Sequence, residues 1–75
     1  MTEVRIPKPG DAITEAVLSK FVVAHGDTVN EGDPLYEIET DKVEMAIDAP
    51  ASGVVSWHAE QGETYPVGTL VATID

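Results

Sequence analysis

"VLSKFVVAHGDTVNEGDPLYEIE", residues Val17–Glu39, returns 36 positions later and without a gap as "GVVSWHAEQGETYPVGTLVATID", residues Gly53–Asp75. Gly26 falls on Gly62, Thr28 on Thr64, Gly32 on Gly68 and Ile38 on Ile74. Phe21 matches Trp57, Asp27 matches Glu63, and Glu39 matches Asp75. Two copies are too few for a solenoid, which needs three or more to bury its faces. The economical alternative is two similar sheets related by a pseudo-two-fold axis and packed face to face. In each copy the Gly-[Asp/Glu]-Thr block supplies a turn glycine where positive φ costs little. Phe21 and Trp57 then hold equivalent places in or beside a shared core.

The rest of the chain agrees with an all-β fold. Glycines and prolines punctuate short β-branched runs, which predicts strands over Glu3–Ile6, Val17–Val23, Leu35–Thr40, Val43–Asp48, Gly53–His58 and Leu70–Ile74. Val43, Met45 and Ile47 alternate with Glu44, Ala46 and Asp48; Leu70, Ala72 and Ile74 alternate likewise, and Tyr36 and Ile38 oppose Glu37 and Glu39. No segment holds a helical period, so essentially no helix is expected, with Asp11–Ala16 carrying the weakest pattern. Seventy-five residues make one small domain, residues 1–75, whose repeat halves run over about 4–39 and 40–75.

Composition removes several function classes. There are no cysteines, so neither a disulfide nor a thiolate metal site staples the chain. Its apolar runs are too short for a transmembrane helix, and "MTEVRIPKPG" contains neither a signal-peptide core nor an Arg- and Ser-rich transit pattern. The net charge is −10, fourteen acids against Arg5, Lys8, Lys20 and Lys42. Such a surface repels phosphate backbones and anionic lipids, so neither nucleic acid nor membrane is an expected partner. It favours basic partners and keeps the isolated domain monomeric, although acidic surfaces also serve solubility alone. Ser19, Ser52 and Ser56 lack a His-acid arrangement for nucleophilic catalysis. His25 and His58 fall on Gln61 and Val22 in the repeat, so they are no symmetric metal pair.

One residue stands apart. In "YEIETDKVEMAIDAP", Tyr36–Pro50, five acids (Glu37, Glu39, Asp41, Glu44, Asp48) surround Lys42, and a two-residue turn at Asp41-Lys42 would join two strands. Such turns prefer Asn-Gly or Asp-Gly; a lysine held at positive φ in a primed turn costs roughly 1 kcal/mol, whereas a type I turn removes most of that strain. Lys42 reads in three ways. It is an ordinary solvated lysine, a catalytic amine, or an attachment point for a mobile cofactor. A catalytic amine needs desolvation or a neighbouring cation, and nearby carboxylates do the reverse by favouring the ammonium form. An attachment point needs an amine on a rigid, protruding turn, and departures from turn chemistry tend to mark functional sites.

"EIETDKVEMAIDAPASGVV" closely resembles the lipoyl-domain motif of 2-oxo acid dehydrogenase complexes, in which a Glu-(Ser/Thr)-Asp-Lys-(Ala/Val) turn precedes a strand and a Pro-x-x-Gly element. Glu39, Thr40, Asp41, Lys42 and Val43 match the turn; Pro50 and Gly53 match the element that follows. "VAHGDTVNEGDPL", Val23–Leu35, and "IPKPGDAITEAVLSKFVV", Ile6–Val23, are similar to the family's other segments, though members often have Gly-Glu where Gly10-Asp11 stands. The resemblance implies a flattened eight-stranded barrel-sandwich of two antiparallel sheets, with lipoic acid in amide linkage on Lys42. It implies a non-catalytic carrier whose dithiolane is reductively acylated by a thiamine-diphosphate-dependent decarboxylase. The acyl group then passes to coenzyme A at the acyltransferase catalytic domain, and a flavin-dependent dihydrolipoyl dehydrogenase reoxidises the dithiol. A lipoate ligase or lipoyl transferase would load Lys42, with Glu39, Thr40, Asp41, Val43 and Glu44 as the recognition surface. The compartment implied is bacterial cytoplasm or mitochondrial matrix.

Two rivals share the fold class. Biotinyl carrier domains place methionine on both sides of the lysine, where Asp41 and Val43 stand here. An unmodified barrel-sandwich adaptor is the other. The glycine-cleavage carrier is a longer relative with extra helices. Because the second repeat ends at Asp75, the chain is expected to be an N-terminal domain excised from a longer protein.

Overall fold

The computed structural model describes residues 1–8 and 13–75. Eight strands follow one another: β1 Thr2–Arg5, β2 Glu15–Phe21, β3 Thr28–Val29, β4 Pro34–Glu39, β5 Glu44–Asp48, β6 Gly53–Trp57, β7 Thr64–Pro66 and β8 Leu70–Ile74. No helix occurs among the described residues. Six strands lie within two residues of the expected ones. The additional β3 and β7 sit in the two Gly-[Asp/Glu]-Thr blocks, too short to announce themselves by alternation. Of Asp11–Ala16, Asp11 and Ala12 lie outside the described residues, as does Gly10, while Glu15 and Ala16 open β2.

The strands form two antiparallel four-stranded sheets, ordered β1-β8-β6-β3 and β5-β4-β2-β7. Moving 36 positions along the chain carries β2 onto β6, β3 onto β7 and β4 onto β8, and so converts one order into the other. Each half therefore contributes two strands to each sheet. Val4 pairs with Ala72 as Ile47 pairs with Tyr36, so Val4 corresponds to Ile47, 43 positions on rather than 36. The first half thus carries seven extra residues between its first two strands.

The core is built from both sheets: Val4, Leu18, Val29, Leu35, Tyr36, Ile38, Val55, Val71 and Ile74 are among its buried side chains. Simple alternation fails at Leu35 and Val71, both fully buried. Register shifts between Pro34 and Tyr36 and between Val4 and Arg5 put a bulge at each, which turns the extra residue inward. Strand β8 corrects the expected pattern, because Val71 and Thr73 are buried along with Ala72 and Ile74. Val71 is turned inward by the bulge, and on the other face the Thr73 hydroxyl meets His58 Nε2 at 3.2 Å.

Phe21 and Trp57 do more than hold equivalent places: their rings stack at 3.9 Å with 3° between planes. Symmetry mates can touch only where the two-fold axis passes, so this stack marks the axis. Gln61 Oε1 accepts the Phe21 N–H at 2.8 Å, and His25 Nδ1 accepts the Trp57 N–H at 3.1 Å. Gln61 and His25 are themselves equivalent in the repeat, which explains the histidine structurally. Tyr36 closes the cluster edge-on to Trp57 at 5.9 Å. Burial pushes its phenol up to about 12, so the hydroxyl stays protonated and donates to the Arg5 carbonyl at 3.4 Å.

Gly53 begins β6 at φ +153°, where a Cβ would collide with the Asp75 carbonyl oxygen. The strand meets Asp75 there through Val54 N–H to Asp75 O at 2.9 Å and Asp75 N–H to Val54 O at 3.0 Å. Gly26, at φ +88°, has open space where its Cβ would lie. Gly53→Ala should therefore cost about 2 kcal/mol or more and Gly26→Ala about 1 kcal/mol, read as urea midpoints. Equal losses would contradict the close approach at Asp75.

Candidate functional site

The β4–β5 hairpin carries Lys42. Its last ladder pair is Glu39 opposite Glu44, after which the Thr40 N–H donates to the Val43 carbonyl at 2.8 Å. The Val43 N–H does not return to the Thr40 carbonyl; it is accepted by Thr40 Oγ1 at 3.3 Å. The same hydroxyl reaches the Val43 carbonyl at 3.5 Å, at the outer limit for a hydrogen bond. Thr40 thus binds both polar groups of one facing residue.

Among the described residues no non-glycine has positive φ, Asp41 and Lys42 included. A primed turn is therefore excluded, since both primed types need positive φ at the first central position. The strain expected of a lysine in such a turn is not present, and a glycine is not missing. The flanking strands are six and five residues long.

Glu39, Asp41, Lys42, Val43 and Glu44 are exposed, and Thr40 is half-buried. Val43 shares the inward parity of Met45 and Ile47 but lies beyond the strand, 42 % exposed. Glu39 and Glu44 face each other directly across the ladder, a like-charge arrangement that costs roughly 0.2–1 kcal/mol. Among the described residues the only ion pair is Arg5 with Glu3, so Lys42 has no carboxylate partner there. Its amine stands in solvent at the tip of a ladder-held turn. That arrangement fits covalent attachment of a carboxylic-acid cofactor through an amide at Nζ.

Beside the hairpin lies a cleft of about 390 Å³, bordered by residues 13–17 on one side and Glu39–Asp41 on the other, with Thr64. Other polar side chains are committed to structure. Ser19 donates to the Glu37 carbonyl at 3.2 Å, and Ser52 Oγ accepts the Glu31 N–H at 2.9 Å. No group of three metal-ligating side chains occurs among the described residues. The sequence reading missed the cleft and the hydroxyl's place in the turn; a threonine just ahead of Asp-Lys was the available signal for the second.

Comparison with known proteins defines the class. Residues 2–74 match the biotin–lipoyl family, described as that of biotin-requiring enzymes, and the chain belongs to that family. It is 38% identical over 74 residues to the dihydrolipoyllysine-residue acetyltransferase component of the pyruvate dehydrogenase complex of Corynebacterium glutamicum, covering 97% of this chain and 11% of that protein. It is 35% identical over 74 residues to the lipoamide acyltransferase component of the branched-chain alpha-keto acid dehydrogenase complex of Bacillus subtilis, covering 97% and 18%. The chain therefore spans less than a fifth of either relative. Among solved structures, the lipoyl domain of the 2-oxoglutarate dehydrogenase complex of Azotobacter vinelandii superposes with a TM-score of 0.82 at 25% identity, covering 100% of this chain and 96% of that one. The fold and family are those of a lipoyl domain, a carrier unit and not a catalytic one.

Because the turn holds its central residues at negative φ, glycine offers it nothing. Lys42→Gly should lower stability by about 0.5–1 kcal/mol through the greater freedom of the unfolded chain. A gain in the urea midpoint would show that Lys42 is strained after all.

Proposed function

We propose that residues 1–75 act as one lipoyl domain in which Lys42 carries lipoic acid and serves as the swinging arm of a 2-oxo acid dehydrogenase complex. The observation that carries this reading is the exposed lysine at the tip of the β4–β5 hairpin, without an ion-pair partner among the described residues, within a chain of the biotin–lipoyl family. When bound in amide linkage, lipoic acid supplies a dithiolane able to take up an acyl group with two electrons and hand both on. The protein's own contribution is presentation. Two ladder-paired strands hold the turn in register, and the lysine stem adds a flexible spacer beyond it. Tethering then raises the local concentration of the cargo at each active site within reach.

The partners follow from that chemistry: a lipoate ligase or lipoyl transferase, a thiamine-diphosphate-dependent decarboxylase, an acyltransferase domain and a flavin-dependent dehydrogenase. Glu39, Asp41, Val43 and Glu44 provide the exposed recognition surface around the lysine, with Thr40 beneath it. The facing Glu39–Glu44 pair supports this, since a like-charge pair lowers stability but presents a compact anionic target to a basic patch. A biotinyl carrier is the alternative within the family, and Asp41 and Val43 as the lysine's neighbours favour lipoate.

Combined replacement Glu39→Gln, Asp41→Asn and Glu44→Gln tests the surface. With the lipoylated domain as substrate for the decarboxylase, reductive acylation should slow at low salt while urea unfolding is unchanged or slightly strengthened. Equal rates at low salt would remove the steering role.

A further inference from the structure

We infer that Thr40 is the positioning residue of the lysine turn: its hydroxyl, by accepting the Val43 N–H, fixes the one conformation in which Lys42 is offered for modification. The inference rests on Lys42 being the attachment site, and it concerns how the chain presents that site, not what partners touch.

Beyond the Glu39–Glu44 pair, four residues must reverse the chain. A conventional closure would use both backbone groups of Thr40 and Val43. Only one of those bonds is made, Thr40 N–H to Val43 O at 2.8 Å. The second position is taken by Thr40 Oγ1, 3.3 Å from the Val43 nitrogen. Asp41 and Lys42 keep negative φ within this closure. Threonine suits the task because its β-branch restricts χ1 and holds the hydroxyl in place without help from neighbours. Hydroxyls of this kind commonly stand in for backbone groups in turns.

The surroundings support positioning over recognition. Thr40 is half-buried, whereas Glu39, Asp41, Lys42, Val43 and Glu44 are all exposed. Its side chain is directed to the facing Val43 and borders the cleft beside the hairpin. Val43 itself is 42 % exposed and has little packing to hold its place. Without the hydroxyl the tip would be tied by one backbone bond and would sample several conformations. A partner needing one of them then binds more weakly by the fraction in which it is populated.

The test uses three versions of the chain: wild type, Thr40→Val, which keeps the shape and loses the hydroxyl, and Thr40→Ser, which keeps the hydroxyl. Loading with lipoate by a lipoate ligase is followed by intact mass across protein concentrations, and amide exchange at Val43 is followed by NMR. Thr40→Val should raise KM for the domain about fivefold with kcat little changed, the loss of roughly one net hydrogen bond. Val43 amide exchange should accelerate by a similar factor while the β4–β5 ladder amides stay protected. Thr40→Ser should recover most of both. Wild-type KM and Val43 protection in Thr40→Val would overturn the inference, and so would a serine variant that behaves like valine. If the wild type is not loaded at all, the carrier reading fails instead, and Val43 exchange still decides whether the hydroxyl holds the turn.

Discussion

The stack of Phe21 on Trp57 is the contact on which the rest of the molecule depends. A chain of this size buries a limited core, to which each large aromatic side chain adds apolar area. Here the pair also joins the two halves of the repeat across their axis. Gln61 and His25 fix the backbone behind each ring with matching hydrogen bonds, and Tyr36 closes the edge. Because each half places two strands in each sheet, neither half can bury its apolar faces without the other. Folding and pseudo-symmetry are therefore one requirement.

The same repeat places the lysine hairpin. The repeat carries Glu39 onto Asp75, and beyond Glu39 the chain closes into the β4–β5 hairpin. There the ladder supplies rigidity up to Glu39 and Glu44, Thr40 supplies the closing bond, and Lys42 extends into solvent. The longer β1–β2 connection of the first half ends in Ile13 and Thr14, which border the cleft beside the same hairpin. Both features thus fall at the hairpin that carries Lys42.

Much of this was legible in the residues. The ungapped repeat announced two equivalent sheets, and the turn glycines Gly26, Gly32, Gly62 and Gly68 all hold positive φ between 86° and 92°. Met45 and Ile47 turn inward between exposed Glu44, Ala46 and Asp48, as their alternation required. What could not be read depended on contacts distant in sequence. Leu35 and Val71 break alternation because bulges are set by pairing register, and Thr73 is buried with its hydroxyl against His58, 15 residues away. At the site, residue types singled out Lys42 but left a strained primed turn and a relaxed type I turn both open. The central residues hold negative φ, and a side-chain hydroxyl takes the place of a backbone acceptor, a choice that composition does not reveal.

The most direct measurement is the position of the modification itself. The chain is produced with lipoate and a lipoate ligase, weighed intact, and the adduct located by peptide sequencing. The account predicts a single lipoyl adduct on Lys42, lost in Lys42→Arg with the fold unchanged. An adduct on Lys8 or Lys20, biotin in place of lipoate, or no adduct on a folded chain would contradict it.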